Sequence, residues 1–174
     1  MQIHIEPAHP AQPAQPAQPM QLHIEPAQPD QAEQIHHLVQ ETITQVYTRY
    51  YHQQAVAFFQ DLHTLESIQA DIQAGRVWVV ELDAHLVATG TVLGDEILRM
   101  FVLPNLQHQG IGSKMMEHLE GIVAQTHKSA QLSASFPAFN LYLHRGYQVV
   151  RGNNRPVKDN HILFFLTMEK QLKG

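Results

Sequence analysis

The chain has 174 residues, 11 basic side chains against 16 acidic ones for a formal charge of -5, 44% apolar residues and no cysteine. That length suits one well-buried domain, and the acidic balance removes the broad basic footprint that nucleic-acid backbones require. The missing cysteines exclude disulfides, thiolate metal sites and cysteine nucleophiles. No stretch reaches the roughly 18 apolar residues of a membrane helix, and the N-terminus lacks a signal-peptide pattern, so a cytoplasmic protein with no membrane partner is expected. The 13 histidines include no HExxH or paired-histidine spacing, and no metal is assigned.

The chain opens on a duplication: MQIHIEPA at residues 1–8 returns as MQLHIEPA at 20–27, with AQP repeats between. Seven of the ten prolines precede residue 30, which predicts an extended spacer with no core of its own. Residues 1–19 are therefore expected to form a Pro/Gln/Ala-rich extension, and 20–174 the domain. The second copy is the better candidate for a strand of the fold, because it leads straight into a helix. Asp30 and Glu33 give that helix a D-x-x-E start, and Ile35, Leu38, Val39, Thr42, Ile43, Val46 and Tyr47 recur at helical spacing. Residues 53–63 predict a second helix, and 64–74 a third with Thr64 as cap and Gly75 as stop.

From Arg76 the apolar period falls to two. RVWVVEL, HLVATGTVL and EILRMFVL, separated by turns at Asp83-Ala84 and Gly94-Asp95, predict an antiparallel meander. A helix follows from Ile111, with Met115, Met116, Leu119, Ile122 and Val123 on one face. QLSAS then predicts a strand, 137–144 a helix closed by Gly146, and YQVV and HILFFLTM two final strands. The order implies a mixed α/β sheet with helices on both faces.

The junction QHQGIGSKM, residues 107–115, is the chemical signal. A helix N-terminus offers unpaired amides and the positive end of the backbone dipole, and glycines at 110 and 112 permit a tight turn and clear the approach to an anion such as a pyrophosphate. Two glycines by themselves also serve as an ordinary strand-to-helix turn. The G-x-x-x-x-G-K-[ST] spacing is absent, and the third glycine of a dinucleotide fingerprint is replaced by Met115.

Residues 21–172 resemble the GNAT superfamily of acyl-CoA N-acyltransferases. Gln107, Gly110 and Gly112 fill its Q/R-x-x-G-x-G/A loop, RMFVLP is similar to its fourth strand, and FNLYLHRGYQVV resembles its FYEKLGF segment. The resemblance implies a GNAT-like α/β fold with a central, mostly antiparallel, twisted sheet. It implies acetyl-CoA as co-substrate and transfer of its acetyl group, by direct attack, to a primary amine of a small molecule or peptide. Cofactor contacts are then expected at Phe101, Val102, Gln107, His108, Gln109, Gly110, Ile111, Gly112, Ser113 and Lys114. Ser135 is added where the family often has an asparagine, a departure that leaves a non-catalytic acyl-CoA sensor as the alternative reading. Tyr142 matches the tyrosine that protonates the departing thiolate, and Glu96 is the candidate base, directly or through water. Lys114 and Arg145 are candidates for the cofactor phosphates. On the acceptor side, Tyr47, Tyr50, Tyr51, Phe58 and Phe59 with Glu41, Asp61 and Glu66 would suit an organic cation. A homodimer is possible under the same resemblance.

Overall fold

The computed structural model describes residues 22–172, so the first copy of the duplication and the expected 1–19 extension lie outside the described residues. The second copy supplies β1 (His23–Pro26), which pairs antiparallel with β2 (Val77–Leu82). A 3-10 turn, Pro29–Gln31, then feeds α1 (Ala32–Val46). The helix start differs from the Asp30/Glu33 expectation: the Gln28 N–H donates to Gln31 Oε1 at 2.8 Å. Pro29, with its fixed φ and no N–H to satisfy, begins the turn ahead of the D-x-x-E pair. The apolar stripe itself is as read, with Ile35, Leu38, Val39, Thr42 and Ile43 all buried. A second 3-10 turn, Tyr47–Arg49, carries Tyr47 inward.

Next come α2 (Gln53–Leu62) and α3 (Leu65–Gln73). Thr64 caps α3 by accepting from the Ser67 N–H at 3.2 Å, and Gly75 follows the helix at φ +68°. β3 (His85–Leu93) and β4 (Glu96–Val102) complete the meander. After the glycine turn, α4 (Ile111–Val123), β5 (Ser129–Ala134), α5 (Phe139–His144), β6 (Gln148–Pro156) and β7 (Ile162–Gln171) follow in that order. Among the described residues no helix is long and apolar enough to cross a membrane.

The seven strands form one sheet in the order β1-β2-β3-β4-β5-β7-β6. Every neighbouring pair is antiparallel except β4 and β5. Strand alternation sends Val77, Val79 and Phe101 into the α1/α3 layer with Ile35, Ile43 and Ile68. Val80, Ala88, Ile97 and Val102 go into the opposite layer with Ile111, Met115, Met116 and Leu119 of α4. Each such aliphatic side chain, taken out of water, contributes about 1.5–3 kcal/mol. α4 lies so close over β3 that a Cβ at Gly90 would stand 2.5 Å from Leu119 Cδ1.

Two irregularities make the site. Opposite Gly90, β4 bulges: the register with β3 slips between Thr89 and Thr91, and Arg99 takes φ +49°. On its other edge β4 meets β5 at one position, Glu96 against Gln131, where the Gln131 N–H donates to Asp95 O at 2.8 Å. β5 instead pairs with β7 along its whole length. From Leu98 to Val102, β4 has no strand partner on that side, and the sheet opens into a wedge.

Candidate functional site

The wedge is closed at its wide end by the glycine turn. After the 3-10 turn Pro104–Leu106, the chain passes through His108 at φ +62° and Gly110 at φ +85° before α4 begins. Lys114 is the first residue of the helix to close a backbone bond, to Gly110 O at 3.1 Å. The N–H groups of His108 to Ser113 find no acceptor among the described residues. Six free donors at the positive end of a 13-residue helix form a ready anion cradle. Gly110 is required by its left-handed backbone; Gly112 has a different reason, since a Cβ there would meet Met100 Cε at 3.0 Å. The turn is braced from within: Gln107 Nε2 donates to Val102 O at 3.0 Å.

β4 supplies one wall. The Leu103 N–H donates to Val87 O at 3.0 Å, which makes the 103/87 pair the hydrogen-bonded one. Val102, one residue earlier, therefore turns its own N–H and C=O away from β3 and into the wedge. Its carbonyl accepts from Gln107, which leaves its N–H as a backbone donor toward the opening.

The facing wall comes from the end of β5 and from α5. Tyr142 is 5% exposed and lines the cavity, and burial pushes its hydroxyl up to about 12, so it stays protonated well above neutrality. Across the wedge the Tyr47 hydroxyl donates to Ser135 Oγ at 3.0 Å, and the Phe136 N–H donates to the Tyr51 hydroxyl at 2.8 Å. Burial also raises Tyr47, although its bond to Ser135 opposes this. The end of α1 is thus tied to the end of β5, over the gap that the sheet leaves open. The enclosed cavity has a volume of about 610 Å³.

The cavity brings together Phe101, Val102, Gln107, His108, Gly110, Gly112, Ser113, Ser135 and Tyr142. Gln109, Ile111 and Lys114 lie outside its wall. The Ile111 side chain is buried in the core, Gln109 Nε2 donates to Asn105 O at 3.3 Å, and Lys114 is exposed. Two expectations need correction. Glu96 is an exposed residue at the narrow end of the wedge, against Gln131, and is not part of the cavity wall. Arg145 is engaged elsewhere: its Nε and Nη2 grip the Glu120 carboxylate at 3.1 and 2.9 Å, and its Nη1 donates to Ser113 O at 3.0 Å.

The acids expected around the acceptor are also placed elsewhere. Glu41 accepts from Gln45 Nε2 at 2.9 Å and faces His37, Glu66 caps the exposed start of α3, and Asp61 is exposed on α2. Tyr47 and Tyr50 do line the cavity, whereas Tyr51 stacks on Phe136 at 5.4 Å and Phe58 lies under the Arg155 guanidinium. Sequence reasoning missed Thr42, Val46, Met100, Leu141 and His144 as lining residues. Thr42 was legible only as part of the apolar stripe of α1, and nothing in the spacing sets the others apart.

Residues 73–149, which span β2 to the start of β6, match the family model of the acetyltransferase (GNAT) domain. Solved structures share the fold over most of both chains. The GCN5-related N-acetyltransferase from Rhodopseudomonas palustris superposes with a TM-score of 0.79 at 20% identity, covering 90% of this chain and 100% of that one. The PaiA N-acetyltransferase from Thermoplasma acidophilum, solved with coenzyme A, gives 0.68 at 16% identity over 87% and 99%. YncA from Salmonella typhimurium, solved with its cofactor acetyl-CoA, gives 0.64 at 14% over 88% and 95%. No curated protein sequence matches the chain. With the wedge between β4 and β5, the open amides before α4 and Tyr142 all inside the matched segment, the chain belongs to the GNAT superfamily of acetyltransferases.

Proposed function

We propose that this acetyl-CoA-dependent acyltransferase delivers an acetyl group to a primary amine of a small molecule or peptide by direct attack in the wedge. One observation carries the reading: the free amides of His108 to Ser113 and the Tyr142 hydroxyl face the same cavity, from opposite ends. The amides and the helix dipole hold the coenzyme A diphosphate, with the Lys114 ammonium exposed nearby. No carboxylate in the described cavity wall opposes that charge. The pantetheine arm runs along the unpaired edge of β4, where the Val102 N–H stabilises the oxygen of the attacked carbonyl. Tyr142, held protonated by burial, gives its proton to the departing sulfur. Ser135, fixed by Tyr47, stands where the family's asparagine would be and keeps a hydroxyl proton free to donate. Residues 20–174 form this catalytic domain, with 1–19 as an extension apart from it.

Thermal-shift titration with acetyl-CoA, coenzyme A and NAD tests the ligand, since a compound that binds the native state raises its apparent stability. Acetyl-CoA and coenzyme A are expected to stabilise the protein, and stabilisation by NAD alone would overturn the reading. Tyr142→Phe tests the chemistry: kcat should fall about 10²-fold with the acetyl-CoA Kd unchanged.

A further inference from the structure

The acceptor part of the cavity is lined by Thr42, Val46, Tyr47, Tyr50, Phe101 and Tyr142, all uncharged at neutral pH. The only other ionisable side chains in the described wall are His108 and His144, imidazoles that carry a positive charge or none. Each carboxylate expected near an ammonium is placed elsewhere: Glu41 and Glu66 on the outer sides of their helices, Glu96 at the narrow end of the wedge. Asp71 is bound to Arg99 at 2.8 Å. An alkylammonium drawn into this space loses its water and meets no anion, a loss greater than the attraction of tyrosine faces restores.

We infer that the acceptor enters as an uncharged, weakly basic amine, an aromatic amine or a peptide α-amino group, and that Tyr142 serves both proton transfers. This rests on the transferase reading above. The amine nitrogen bonds to the acetyl carbonyl carbon, and the carbon–sulfur bond breaks with its electron pair leaving on sulfur. The Tyr142 proton goes to that sulfur, and a proton of the newly bonded nitrogen returns to the Tyr142 oxygen. Amide and thiol form with no proton gained or lost, so no carboxylate base is called for. An alkylammonium has one proton too many for this exchange. At pH 7 about one lysine-type amine in 2,500 is uncharged, against about one α-amino group in ten.

The test uses the full chain saturated with acetyl-CoA and three acceptors: 4-methylaniline, its isomer benzylamine, and phenylalaninamide. Thiol release and N-acetyl product are followed from pH 6 to 9. At pH 7 the aniline or the α-amino compound should be acetylated at least about 50-fold faster than benzylamine, whose kcat/KM should rise close to tenfold per pH unit. A second readout is the thermal shift of the coenzyme A-saturated protein at pH 7, where 4-methylaniline should stabilise and benzylamine should not. Benzylamine turned over at pH 7 as fast as the others, with a flat pH profile, overturns the inference. So does acetyl-CoA binding with none of the three acetylated. Absence of any acetyl-CoA stabilisation is a separate result, which removes the transferase reading itself.

Discussion

Gly110 holds φ +85° with no atom within 4 Å of where a Cβ would be, so an alanine there meets backbone strain and no clash. A left-handed non-glycine residue costs about 1–2 kcal/mol, and the turn can escape that cost only by rotating its amides off the cradle. Gly110→Ala is therefore expected to weaken acetyl-CoA binding roughly 5- to 30-fold by calorimetry, with thermal stability of the free protein nearly unchanged; unaltered affinity would show that the amides do not grip the ligand. Gln107, Gly110 and Gly112 were legible as a loop because their spacing is a local property of the chain. Their separate duties were not. That Gly112 makes room for Met100 and that Gln107 braces the Val102 carbonyl depends on β4 lying beside the turn. Glu96 and Arg145 show the same limit: charge and sequence position made them candidates, but a single strand pairing and a carboxylate 25 residues away decided their surroundings.

At the scale of elements, the helices and the meander followed from apolar period, turn residues and the Thr64 cap, because each is fixed within a few residues. The wedge did not, since it arises from a bulge at Arg99 and from the preference of β5 for β7, contacts that span distant parts of the chain. The junction of α2 and α3 packs under the same bulge. There His63 meets the Phe101 ring edge-on at 5.3 Å, and burial, reinforced by the Arg99 guanidinium, lowers it from 6.5 to about 3. Between those values the unfolded chain binds a proton that the folded one refuses, so this group contributes stability above pH 6.5 that is lost as pH falls toward 3. From pH 7 to pH 5 wild type should lose about 2 kcal/mol more than His63→Gln in urea denaturation. Identical losses in the two proteins would mean that His63 is solvated.

For the whole molecule, the sheet is two blocks, β1 to β4 and β5 to β7, joined by one strand pair. What else holds the blocks together is α4. Its apolar face packs on β3 and β4, and Glu120, 10% exposed at the side chain, accepts from Arg145 beyond α5 and from Lys170 of β7 at 2.9 and 2.7 Å. Burial works against the Glu120 charge, but these two partners prevail and hold the carboxyl below its usual range. Glu120→Ala leaves both cations without their acceptor and should cost about 3 kcal/mol in urea denaturation, whereas a loss under about 1 kcal/mol would mark the cluster as a solvated surface pair. The same division of the sheet leaves the wedge open, so the contacts that stabilise the fold also keep the site accessible along β4.

Calorimetric titration of acetyl-CoA against S-acetylpantetheine, which carries the same thioester and lacks the diphosphate and nucleotide, tests the role of the turn most directly. The open amides before α4 predict that acetyl-CoA binds at least about 100-fold more tightly, with much of that advantage lost in Gly110→Ala. Equal affinities for the two thioesters would contradict it.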